Sequence, residues 1–139
     1  MPIYLPNDFL QRCLLATVAF LVFSVSGWAQ DTATIYSFGG QGSDHCRDLL
    51  ATPDGGFVSV GATGSFGSYN NGVADLYLVK YDSTITQEWS SVIGLAGVDW
   101  GNRIIATSDG GYAVAGFTNS GGAGGYDGYL VKTDNTGNL

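Results

Sequence analysis

The chain repeats itself, and that constrains its fold more than anything else in the sequence. TPDGGFVSVGAT (52–63) aligns with TSDGGYAVAGFT (107–118), with six identities in 12 positions. DLYLVKYD (75–82) aligns with DGYLVKTD (127–134), with six in eight. The offsets are 55 and 52 residues, so only the intervening loop differs, by three residues. Upstream, Gly39, Gly42 and Asp44 match Gly94, Gly97 and Asp99. A period of this length points to stacked supersecondary units, each unable to bury its apolar face alone.

Each unit reads as four strands. The first takes Thr34 to Phe38, Arg47 to Thr52, Phe57 to Ala62 and Leu76 to Tyr81. The second takes Gln87 to Ile93, Asn102 to Thr107, Tyr112 to Phe117 and Gly128 to Thr133. Asp54-Gly55-Gly56 and Asp109-Gly110-Gly111 fall between strands, where Asp-Gly suits the positive φ of a tight hairpin. Asp82 and Asp134 open further turns, with Gly137 in the second copy and Ile85 at its position in the first. Phe57-Val58-Ser59-Val60, Tyr77-Leu78-Val79 and Tyr112-Ala113-Val114-Ala115 scarcely alternate, as expected of sheets covered on both faces. No helical pattern is available to cover them, so sheet must stack on sheet. The expected fold class is all-β, with two four-stranded antiparallel blades of β-propeller type (about 34–86 and 87–139). Together they make an incomplete propeller, since closed rings use about four to eight blades.

The order Gly97…Asp99, TSDGGY (107–112), GFTNS (116–120), GGYDGYLVKTD (124–134) and Gly137-Asn138 resembles bacterial SBBP-type β-propeller repeats. The resemblance covers roughly residues 36–139. It implies an extracellular scaffold, adhesion or binding module and no catalytic residues. The first copy departs from the pattern, with His45-Cys46 where the second has Trp100-Gly101, and with a longer loop over 64–74.

Residues 1–29 read as a secretory signal peptide. Arg12 precedes a 13-residue apolar run, Cys13 to Val25, which is short for a membrane span. Gly27 and Ala29 are the small residues for cutting between Ala29 and Gln30. An uncleaved anchor is the alternative. The expected destination is secretion or the cell surface, with no membrane span after cleavage. Cleavage leaves Cys46 as the single cysteine, unable to form an internal disulfide and expected to pack as a small apolar residue.

Five basic residues against 12 acidic ones give a net charge of −7. A nucleic-acid partner requires a basic surface, so none is expected. There is no P-loop, no nucleophile elbow, no paired-cysteine spacing and no H-E-x-x-H, so neither cofactor nor metal is expected. His45 is the single histidine, and its neighbour Cys46 would point to the other face of a strand. The chain therefore reads as a non-enzyme.

Loops 39–46, 64–74, 94–101 and 119–126 should share one face, opposite the Asp-Gly-Gly hairpins. That face carries the candidate ligand residues Asp44, Tyr69, Asn70, Asp99, Trp100, Asn119 and Tyr126. Aromatic platforms beside Asn and Asp suit sugar rings, so the partners considered are carbohydrate or another protein. The competing reading makes these residues turn formers and Trp100 a cap on the core. Two repeats alone leave apolar faces bare. An N-terminal portion of a larger protein is the preferred explanation. A self-assembling lectin-like homo-oligomer and a simple sandwich are the others. A blade pair from a secreted polysaccharide-degrading enzyme is the alternative function.

Overall fold

The computed structural model describes residues 35–67 and 73–139. Two compact units partition the chain, Met1–Tyr36 and Ser37–Leu139. Of the first unit only Ile35 and Tyr36 are described, and both are exposed. The signal peptide with its Ala29–Gln30 cleavage site, and Thr34, Tyr69 and Asn70, lie outside the described residues.

The described residues of Ser37–Leu139 are all-β. Among them seven strands run β1 Asp44–Ala51, β2 Phe57–Thr63, β3 Asp75–Tyr81, β4 Gln87–Ile93, β5 Asp99–Ala106, β6 Tyr112–Thr118 and β7 Asp127–Thr133. They form two antiparallel meanders, β1-β2-β3-β4 and β5-β6-β7. No helix occurs among the described residues.

The boundary between sheets differs from the sequence-based expectation. Gln87–Ile93, expected to open the second unit, pairs with β3 and closes the first sheet. Ile35 to Phe38, expected as strand, are not in a strand. The first strands also begin three residues early, at Asp44 and Asp99, because each carries a bulge, between Cys46 and Asp48 and between Gly101 and Arg103. A bulge adds a residue that a strict period of two does not anticipate.

The expected hairpins form. Gly55 N–H donates to the Thr52 carbonyl at 3.0 Å, and Gly110 N–H to Thr107 at 3.0 Å. Positive φ falls on Gly55 (84°) and Gly110 (86°). In the third such turn the same conformation is taken by Ile85, φ 64°. A β-branched residue there costs about 1–2 kcal/mol of backbone strain, and Ile85 is held by packing against the Tyr77, Val79 and Tyr81 cluster.

The two sheets share one core. Val58, Val60, Leu76, Leu78 and Ile93 of the first meet Ile104, Tyr112, Val114 and Val131 of the second. The stacking is head to tail. The inward residues Tyr112, Val114, Tyr129 and Val131 stand at the repeat positions of Phe57, Ser59, Tyr77 and Val79, which lie on the far face of the first sheet. Among the buried charged groups, Lys80 is paired, whereas Asp75 and Asp99 face no basic side chain and each keeps one carboxylate oxygen without a hydrogen-bond partner among the described residues. Lys80 is buried and reaches Asp54 at 2.8 Å and Glu88 at 2.7 Å. Cys46, expected to pack inside, is exposed instead. It lies on edge strand β1 beside the bulge, its thiol directed at the Asp48 carbonyl, 3.7 Å away.

Candidate functional site: an aromatic hollow above two loop-binding aspartates

The loops expected to share an end of the sheets do meet. Gly64 N–H donates to the Ser43 carbonyl at 2.8 Å, and Asn119 N–H to the Val98 carbonyl at 3.0 Å. The candidate aspartates organise these loops. Asp44 accepts from Ser65 Oγ at 2.6 Å, from the Gly40 N–H at 2.8 Å and from Thr63 Oγ1. Asp99 repeats this, accepting from Ser120 Oγ at 2.7 Å and the Leu95 N–H at 2.8 Å. Burial pushes the Asp44 carboxyl up, but the hydrogen bonds from Ser65, Thr63 and the loop backbone outweigh it and hold the group below the usual range. Asn119 Oδ1 accepts from the Val98 N–H at 2.6 Å. Asp44, Asn119 and the Oδ2 atom of Asp99 are occupied by backbone and hydroxyl groups of these loops, whereas the buried Oδ1 of Asp99 has no hydrogen-bond partner among the described residues. For them the turn-forming reading is the one the geometry matches.

Trp100 and Tyr126 are brought together. With Val98 and Phe117 they line an open hollow of about 580 Å³. Trp100 stacks on Phe117 with centroids 5.8 Å apart and planes at 14°. Tyr126 meets Phe117 edge-on at 5.3 Å. From the first sheet, the His45 ring lies 4.8 Å from Trp100, and the Arg47 guanidinium sits 4.5 Å from its centroid. Arg47 so placed makes a cation–π contact. Among the described residues, no carboxylate lines this hollow. It offers ring faces and edges, which suit contact with an apolar or ring-shaped ligand rather than proton transfer.

Sequence reading missed Phe117 and Val98. A signal was present for Phe117. It is the cross-strand partner of Trp100, and both are aromatic where the first copy has Ala62 and His45. Two coupled departures from the repeat mark a place where the copies differ in surface, not in frame.

Among the described residues, no group of three His, Cys, Asp or Glu side chains is placed to hold a metal ion. None of the described residues belongs to a helix long and apolar enough to cross a membrane. No protein-family model matches the chain, and no curated protein matches it.

The turn aspartates carry a pH dependence. Asp134 accepts from the Thr136 N–H at 2.8 Å and the Asn138 N–H at 3.0 Å. The Asn138 and Thr136 bonds depress its carboxyl from 3.8 to about 2. A depressed carboxylate stabilises the fold above its unfolded value, and that contribution is lost as pH falls through the folded one. The melting temperature is therefore expected to drop between pH 4 and pH 2. Asp134→Asn should flatten part of that drop, as read by circular dichroism melts at each pH.

Proposed function

We propose that this chain is an exported, non-catalytic β-propeller-type repeat module that binds or scaffolds outside the cell. The observation that carries the reading is the use made of its carboxylates. Asp44 and Asp99 take matched serine and backbone bonds. Asp54 and Asp109 take Lys80 and Lys132 at 2.8 and 2.6 Å. Asp82 and Asp134 bind the backbone of the same five-residue turn. Acid and nucleophile in a hydrolase need unlike environments. These six acids keep matched partners, copy for copy, which is what a repeated frame requires; buried Asp75 is the departure, its carboxyl pushed up by burial and by the charge of Asp99. Four- and three-stranded sheets stacked front to back fit a run of propeller blades, and the SBBP-type sequence pattern points the same way.

The aromatic hollow favours carbohydrate among the ligands, by stacking of sugar rings on Trp100 and Tyr126. The test is expression of the whole chain in a Gram-negative host. The expected result is an extracytoplasmic protein beginning at Gln30, without turnover of polysaccharide substrates, that binds a glycan array through a surface lost in Trp100→Ala. An uncut chain retained in the cytoplasm, or glycan hydrolysis by the purified protein, would overturn the reading.

A further inference from the structure

The same repeat position is treated in opposite ways in the two sheets. Leu78 of β3 is fully buried, whereas Leu130, its equivalent in β7, is 79% exposed. Val58 and Val60 are buried, whereas Ala113 is half-buried and Ala115 exposed. On the far side of the first sheet the contrast reverses at one position only, since Tyr77, Val79 and Tyr81 are buried there as Tyr112, Val114 and Val131 are in the second sheet. Ile104 of β5 is buried at 5%, whereas Leu49, its equivalent in β1, is 58% exposed. The second sheet thus shows to solvent the face by which the first sheet is covered. The first sheet in turn carries on its far side the equivalents of the residues that do the covering.

We infer that the outer face of the three-stranded sheet, centred on Leu130, Ala115 and Ile105, docks a second copy of this chain through the Leu49, Phe57 and Val79 face of that copy's four-stranded sheet. The proposal rests on the repeat-stack reading above and adds the partner. Two details of the existing interface say that this junction is complementary.

The first is charge. Asp48 of β1 meets Arg103 of β5 at 3.5 Å across the two sheets, and these residues occupy the same repeat position. Passing from the second sheet to a second copy reverses the roles, so that exposed Arg103 meets an Asp48. The pair is conserved in sense. The second is volume. Gly101 of β5 lies against Val60, and a Cβ on Gly101 would strike the Val60 methyl group. At the new junction Cys46 takes the place of Gly101 and Ala115 the place of Val60. The side chain gained on one surface is removed from the other, as close packing demands. A contact between unlike faces is heterologous and propagates from copy to copy until a ring closes. Tyr77, Val79 and Tyr81 are buried in the single chain, with Phe66 against Tyr77 and Phe38 against Tyr81, so docking requires those two rings to move aside, Leu49 being the part already exposed.

The experiment uses the exported protein, purified from the host and measured by light scattering on a sizing column at tens of micromolar. The expected wild-type result is a concentration-dependent multiple of the chain mass. Leu130→Glu and Leu49→Glu alter exposed positions, keep the wild-type melt, and each run as monomers. Mixed together, the two variants give a heterodimer, because each retains the half that the other has lost. Ala115→Cys with oxidised glutathione gives disulfide-linked multimers, and the added Cys46→Ser substitution abolishes them. A monomeric wild type, or variants that assemble as well as the wild type, would sink the docking. Cross-linking that persists without Cys46, or failure of the mixture to dimerise, would show like faces in contact and overturn the head-to-tail arrangement. None of these outcomes bears on cleavage at Gln30 or on glycan turnover, which test the underlying reading separately.

Discussion

Leu78→Ala is expected to lower the free energy of unfolding by about 3 kcal/mol, while Leu130→Ala at the same repeat position changes it by less than about 0.5 kcal/mol. Both residues are leucines in the Tyr-Leu-Val-Lys segment of the third strand of a sheet. Local propensity, sequence neighbours and pairing with the preceding strand are therefore nearly constant, although β3 is paired on both sides and β7 is an edge strand. What differs is burial. Leu78 packs into the core between the sheets with Val58, Val60 and Val114, whereas Leu130 faces outward. Truncating Leu78 removes transfer energy and leaves a cavity that close-packed strands cannot collapse. Truncating Leu130 removes side-chain surface that is already in water. Urea melts of the two variants at the lowest workable protein concentration measure the difference directly. Near-equal losses would mean that Leu130 is buried even in the isolated chain, and the assignment of inner and outer faces would be wrong. Raising the concentration adds a second readout. If copies dock through the outer face, Leu130→Ala acquires a penalty that grows with concentration and Leu78→Ala does not.

The sequence made the strands and turns legible because both are local. Asp-Gly between apolar runs fixes a hairpin wherever it occurs, and Gly55 and Gly110 take the positive φ that the reading required. The division into sheets was not legible, because a repeat has no marked beginning. Asp82–Thr86 and Gly94–Val98 are linkers of equal length between strands. The first is a hairpin inside a sheet and the second crosses to the next sheet. Composition offers a cue only in retrospect. The Asp82 turn closes on itself through the Thr84 and Thr86 amides, whereas the Gly94–Val98 loop is bonded to Asn119 and Ser120 of a distant loop. The candidate site was half legible for a similar reason. Trp100 and Tyr126 stand out as aromatics in glycine-rich loops. Whether Asp44, Asp99 and Asn119 face a ligand or their own backbone depends on partners more than 20 residues away, Ser65, Ser120 and Val98, which no local pattern specifies.

Gly116→Ala is expected to cost about 3 kcal/mol or more and to disturb the aromatic hollow with the fold. Glycine here answers a close approach of backbone, not a turn. Gly116 of β6 sits opposite Gly101, at the bulge where β5 runs two residues, Gly101 and Asn102, against one. A Cβ on Gly116 would overlap the Trp100 carbonyl oxygen, and one on Gly61, its counterpart in the first sheet, would overlap the His45 carbonyl oxygen. The obstacle is backbone in both cases, so no rotamer change relieves it, and the bulged strand must shift. That strand carries Trp100, whose ring is fixed between Phe117, His45 and Arg47. Moving it should therefore alter Trp100 fluorescence even in the fraction that stays folded. Gly110→Ala is the control, because the space around that residue is open. There alanine meets only the penalty of positive φ, about 1 kcal/mol. Chemical melts followed by tryptophan emission separate the two substitutions. Comparable losses at Gly110 and Gly116 would mean that backbone freedom, not the packing of β6 against the bulge, is what the repeat preserves there. A loss at Gly116 several times larger would tie the most conspicuous glycines of the repeat to the same bulge that positions Trp100.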